Sequence, residues 1–189
     1  MSAIAPPILQ RHRLNVTDYY RMAQAGILGE DDRCELIEGE IIDMAPIGSE
    51  HVSCVNRLTQ LFAVRAAGRA IVSAQNPVRL SALSEPQPDV ALLRYRDDFY
   101  RQAHPAPEDV LLIVEVADAS LRYDREVKLP LYARHGIPEV WIVDLQNSRV
   151  EIFRRPEGDG YRKMIQPERN EAVAPASLPD CLVDLGSLL

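Results

Sequence analysis

VLLIVEVADASLRYDREVKLPLYARHGIPEVWIVDL, residues 110–145, is the stretch that decides the fold class. Its opening, 110–116, is almost continuously apolar and β-branched, as a central strand covered on both faces must be. Residues 121–135 read as a helix, and Pro138 opens a second apolar strand, EVWIVDL (139–145). Strands enclosing a helix predict an α/β domain with a central mixed β-sheet flanked by α-helices.

Working outward, Asn147-Ser148 followed by RVEIFRR (149–155) predicts a hairpin. The tail 160–189 is expected to hold a short strand at 161–165 and a last apolar run near Leu182–Leu189. Upstream, TDYYRMAQAGIL reads as a short helix with Thr17 as N-cap and Gly26 near its end. In RCELIEGEIIDMAP (33–46) two apolar runs flank Glu38-Gly39, the signature of a tight hairpin. SEHVSCVNRLTQLFAVRAA (49–67) is the clearest amphipathic helix, with Val52, Val55, Leu58, Thr59, Phe62 and Ala66 on the face expected to be buried. Strand-like runs lie at 70–74, 77–81 and 89–93, and the charged, aromatic segment 94–109 is expected to be a surface excursion. Residues 1–15, Pro-rich and then basic, predict a loosely attached arm, and 16–189 a single domain.

The composition, 47% hydrophobic and 26% charged, is that of an ordinary globular protein. No run approaches the roughly 20 apolar residues of a membrane span, and no signal peptide is legible, so a cytoplasmic protein is expected. Cys34, Cys54 and Cys181 lack paired ligand spacing, which argues against structural zinc and for reduced thiols. The net charge of −7 argues mildly against an extended nucleic-acid surface, unless the acids gather around a cation.

Chemistry is legible where carboxylates interrupt apolar patterns. Glu115 sits inside the most hydrophobic strand, where an unpaired carboxylate costs several kcal/mol and is normally paired, protonated or metal-bound. Asp89 opens a strand after Pro88, and Glu35 begins the first hairpin. Three such carboxylates converging would make an oxygen-rich shell suited to Mg2+ or Mn2+. Asp124 and Lys128 share a helix face, and Leu131 and Tyr132 continue it inward, which turns Lys128 toward the sheet.

Each residue also has a structural reading. Glu115 can pair with Arg122, Arg125 or Lys128; Asp89 can cap a turn; Glu35 can be a solvated hairpin residue. His51 can bond near Glu50, and Lys128 can be a surface partner of Asp124. Asp124 and Arg125 read as salt-bridge residues, Gln75 as a turn residue or as lining a substrate groove, Tyr132 and Trp141 as core aromatics. The Tyr95–Tyr100 cluster with Arg94, Arg96 and Arg101 reads either as a solvated loop or as a nucleic-acid contact.

Pro88-Asp89 followed by Glu115-Val116-Ala117 resembles the PD-(D/E)XK phosphodiesterase pattern. The wider series resembles the Uma-type restriction endonucleases: ELIEGEIIDMAP (35–46), His51, PDVALL (88–93), LLIVEVADAS (111–120), YDREVKLPLYARHGIPEVWIVDL (123–145) and VEIFRR (150–155). The resemblance implies a restriction-endonuclease-like fold with magnesium or manganese at the active edge of its sheet. It implies Asp89 and Glu115 as core metal ligands, Glu35 as an added acid, His51 beside the site and the Val116 carbonyl in the metal shell. It also implies DNA as substrate and a homodimer. Where the motif normally has Lys this chain has Ala117, and Lys128 is the replacement the pattern offers. The alternative is a catalytically silent nucleic-acid-binding or scaffold module that keeps the fold. A Ser or Cys hydrolase is disfavoured, since no G-x-S-x-G elbow is present.

Overall fold

The computed structural model describes residues 11–29 and 31–189. Helix α1 (Val16–Gln24) starts from a capping box: the Asn15 side chain accepts from Asp18 N at 3.0 Å while Asp18 accepts from Asn15 N at 3.4 Å. Asn15, not Thr17, is therefore the N-cap; it alone has an acid three residues on. Gly26 lies just past the helix end at φ +70°.

Strands β1 (Cys34–Ile37) and β2 (Glu40–Asp43) form a separate antiparallel hairpin. Glu38 (φ +49°) and Gly39 (φ +82°) make its tight turn. A β-carbon at Gly39 would stand 2.5 Å from Arg13 Cβ, and Leu14 N donates to Gly39 O at 2.9 Å. Residues 11–15 are thus docked on the hairpin, unlike the loose arm expected; residues 1–10 lie outside the described residues.

Helix α2 (Ser49–Arg65) buries His51, Cys54, Val55, Leu58 and Phe62. Val55, Leu58, Phe62 and Ala66 are buried as the spacing implies, whereas Val52 is 44% exposed and His51 and Cys54 take the dry side of the first turn. Strand β3 (Ala70–Ala74) follows. Residues 77–81 are no strand: Val78 N bonds Pro86 O, Arg79 N bonds Pro105 O and Leu80 N bonds Ser84 O, so their donors serve a folded-back loop. Strand β4 (Val90–Arg94) leads into the 94–109 excursion, and β5 (Val110–Ala117) returns from it. The chain then passes through α3 (Leu121–Tyr123), a π-helical turn (Asp124–Lys128) and α4 (Leu129–Arg134). Strands β6 (Glu139–Asp144), β7 (Arg149–Glu157) and β8 (Gly160–Ile165) come next. The short pair β9 (Ala172–Val173) and β10 (Val183–Asp184) and helix α5 (Leu185–Leu188) complete the chain.

The central sheet has six strands in the order β3-β4-β5-β6-β7-β8. All neighbours are antiparallel except β5 and β6, which are parallel and joined by the helical stretch 121–134. Side chains alternate across the sheet. Leu112, Val114, Val116, Trp141 and Val143 pack with α2, while Ile113, Ala117, Val140 and Ile142 pack with Leu131 and Tyr132. Glu115 falls between Ile113 and Ala117, on the face covered by the crossover helix. That parity places the acid under the helix carrying Lys128.

Candidate active site

The antiparallel register Val90↔Val114 carries Asp89, one residue before β4, alongside Glu115. Asp89 Oδ2 accepts from Val116 N at 2.8 Å, which locks the carboxylate to the neighbouring strand. Its other oxygen faces His51 Nε2 at 3.1 Å, and Gln75 Nε2 lies 3.4 Å from it. His51 comes from the first turn of α2; its hydrogen bond to Asp89 holds its pKa above the ordinary value against the opposing effect of burial. His51 Nδ1 is buried without a hydrogen-bond partner among the described residues. Gln75, with φ +55°, is the expected turn residue and also touches the site.

Glu115, 3% exposed, accepts from the Tyr132 hydroxyl at 2.5 Å and lies 3.3 Å from Lys128 Nζ. The same ammonium is 3.3 Å from Glu35 Oε2. Glu35 in turn accepts from Gln87 N at 3.0 Å and from the Tyr123 hydroxyl at 3.1 Å. Lys128 is therefore no surface residue; it is clamped between two buried carboxylates. Burial pushes the Glu115 carboxyl up to about 8, the attraction of Lys128 offsetting only part of the desolvation. Burial also opposes the Lys128 charge, but Glu115 and Glu35 outweigh it and hold the ammonium above its ordinary pKa.

The π turn makes this convergence possible. In an α-helix, residues five apart point roughly 140° away from each other. Leu129 N bonds Asp124 O, five residues back, and this wider turn lets Tyr123 and Lys128 reach Glu35 together. Asp124, read from the sequence as a salt-bridge residue, is buried and accepts from Ser120 Oγ at 2.6 Å. Arg125 does form salt bridges, though to the sheet: two hydrogen bonds to Glu151 at 2.9 and 2.6 Å.

Glu35, His51, Asp89, Glu115, Tyr123, Asp124 and Lys128 line one cleft of about 320 Å³. Its wall carries six carboxylates, those of Glu35, Asp43, Asp89, Glu115, Asp118 and Asp124, against the cations of Arg33 and Lys128 and the His51 ring. Among the described residues no three His, Cys, Asp or Glu side chains form a finished metal cage. The donor chemistry nevertheless fits a hard divalent ion: all carboxylate oxygen, in excess of the local positive charge, with an ammonium already lodged between two acids. Asp89 and Glu115, with Glu35 beyond Lys128, are the groups that could hold one. The structure shows Val116 through its N–H bond to Asp89.

Sequence reasoning took Tyr132 as core, and its ring is; its hydroxyl is the direct partner of Glu115, a role that only its four-residue spacing from Lys128 hinted at. Tyr123, Asp118 and Ser120 also line the cleft, and none breaks a sequence pattern that would mark it. Trp141 is core, against Phe62, with Nε1 donating to Glu139 at 2.6 Å. Tyr95, Arg94, Arg96 and Arg101 do not line the cleft. The three cysteines are buried and free. No helix among the described residues is long and apolar enough to cross a membrane.

A family model described as "Putative restriction endonuclease" (Uma2) matches residues 16–185. Among solved structures, the chain is similar to one titled "a putative nuclease belonging to DUF820" from Anabaena variabilis. The TM-score is 0.71 at 12% identity, covering 93% of this chain and 97% of that one. No curated protein matches the chain.

Proposed function

The chain belongs to the Uma2 family, and from that premise we propose that it is an endonuclease that hydrolyses phosphodiester bonds of DNA with a divalent metal, magnesium or manganese. The observation that supports this most is the Lys128 ammonium at 3.3 Å from both Glu35 and Glu115 in a cleft shared with Asp89. A wall of six carboxylates repels a phosphodiester unless further positive charge is present.

The ion would be held by Asp89 and Glu115, with Glu35 and the Val116 carbonyl as further ligands. It would supply Lewis acidity, making a water more acidic and neutralising charge on the scissile phosphate. Lys128 would orient that water or offset the charge that grows on phosphorus-bound oxygen. His51 would keep Asp89 turned to the cleft, and Tyr132 would keep Glu115 turned to it. A two-fold dimer, able to act on both strands of a duplex, belongs to the same proposal and is read out by sedimentation.

One observation favours a different reading. Lys128 already pairs with Glu35 and Glu115, and Ala117 replaces the usual Lys, as a catalytically silent fold would allow. Plasmid nicking with magnesium or manganese, with and without chelator, separates the two. Metal-dependent nicking lost in Glu115→Gln supports the nuclease. Equal nicking by both proteins removes this site, and no nicking by either favours the silent module.

A further inference from the structure

We infer that Arg79 and Arg101, seated around Tyr20 and His104, form a phosphate-binding tract that holds the nucleic-acid backbone beside the cleft. The inference rests on the nucleic-acid reading above and names how this chain would grip such a substrate.

Two adjoining hollows, of about 390 and 270 Å³, share Tyr20 and Arg79. Arg101 and His104 line the first and Arg21 the second; among the described residues no carboxylate lines either. In a chain of net charge −7 that is a distinct segregation, and it is the opposite of the cleft wall. Arg79 is paired from below with Glu85 and Arg21 lies 3.8 Å from Asp18, so Arg101 carries the tract's unpaired charge among the described residues, and such exposed basic groups attract phosphate chains.

The groups are pre-aimed. Glu85, 2% exposed, lies beneath them and accepts from Arg79 Nε at 2.7 Å and from the Tyr20 hydroxyl at 2.6 Å. Only Nε of Arg79 is used, so its two terminal nitrogens have no hydrogen-bond partner among the described residues. Tyr20 gives its one proton to Glu85, so its oxygen accepts from His104 Nε2 at 3.0 Å. The His104 ring stacks on Tyr20 at 6.4 Å. Arg101 forms no ion pair among the described residues. Phe99 (φ +49°) and Tyr100 (φ +59°) both sit in the left-handed region, folding the 94–109 excursion back so that Arg101–His104 reach α1. Non-glycine residues kept there mark a loop whose shape is imposed.

The tract joins the cleft through the backbone. Glu85 N bonds Leu36 O at 2.7 Å, next to Glu35, and Gln87, two residues on, lines the cleft and donates to Glu35. Phosphates flanking the scissile one are the groups that would meet Arg79 and Arg101.

The test is anisotropy of a short labelled DNA duplex, titrated with the full chain in chelator over a series of salt concentrations. Arg101→Ala removes an exposed side chain with no ion pair among the described residues; Arg79→Lys keeps a cation beside Glu85. Arg162→Ala, on β8, loses the same charge away from the tract. Arg101→Ala should weaken binding about threefold at low salt and make the log–log salt slope shallower by about 0.9, one phosphate contact. Adding Arg79→Lys should weaken it further, while Arg162→Ala should leave the slope unchanged. Equal slopes for Arg101→Ala and Arg162→Ala, or no duplex binding by the unmodified chain, overturn the tract. A tract-dependent slope without metal-dependent nicking keeps the tract and removes the nuclease reading; nicking without the slope change does the reverse.

Discussion

The Tyr132 hydroxyl donates to Glu115 Oε1 across 2.5 Å, both side chains buried between the crossover helix and the sheet. Deleting that oxygen keeps the ring's packing and leaves Glu115 one donor short. Tyr132→Phe should cost about 1–3 kcal/mol, the range for a buried acceptor left unsatisfied. It should also weaken manganese binding, because Glu115 loses the donor that orients it. Urea unfolding and a calorimetric metal titration measure the two effects; unchanged values in both would remove the positioning role.

Lys128 is the cation that makes burial of Glu35 and Glu115 tolerable. Lys128→Met should destabilise the fold by about 3–5 kcal/mol, as expected when a buried charge pair loses one member. Manganese should then raise the melting temperature of the variant more than that of the parent, since the ion replaces missing positive charge. A variant melting at the parental temperature, with no added response to metal, contradicts this account.

Glu115→Gln separates stability from chemistry. Burial already pushes this carboxyl up to about 8, so a neutral amide is cheaper to bury. The variant should melt no lower than the parent while nicking falls by about 10²–10³-fold, the scale for removing one electrostatic group. Thermal melts beside initial nicking rates provide the check, and a folded variant that nicks normally refutes it.

Asp144 predicts acid behaviour. Desolvation opposes its charge, but hydrogen bonds from Asn147 and Arg149 outweigh that and hold its pKa below the usual carboxylate value. A depressed pKa contributes stability that is full above the unfolded value of about 3.9 and is lost as pH falls through the folded one. The stability gap between the parent and Asp144→Asn should therefore be constant near neutrality and close below about pH 4. Denaturant unfolding at stepped pH tests this, and a gap that stays open in acid refutes it.

Legibility in the sequence followed the strength of each local pattern. The 110–116 run, the 139–145 run and the hairpin at Glu38-Gly39 each carry a physical signal strong enough to survive tertiary context, and the six-stranded sheet is built around them. Glu115 and Lys128 were visible because each contradicts its surroundings. Thr17 misled because Asn15, two residues earlier, owns the reciprocal acid. The 77–81 run misled because apolar residues there bury into a loop whose amides bond other loops. Asp124 and the Tyr132 hydroxyl were hidden because helix spacing locates a face and says nothing of which atoms end up dry.

The π turn at Asp124–Lys128 acts as a phase shifter. It lets the segment before it and the segment after it address the same wall, although their regular periodicities disagree. Length in this segment is therefore more tightly constrained than identity. Removing any one of its residues would restore an ordinary helical pitch and swing the upstream side chains by about 100°. Natural variation at Arg125, Glu126 and Val127 should accordingly take the form of exchanges and avoid gaps.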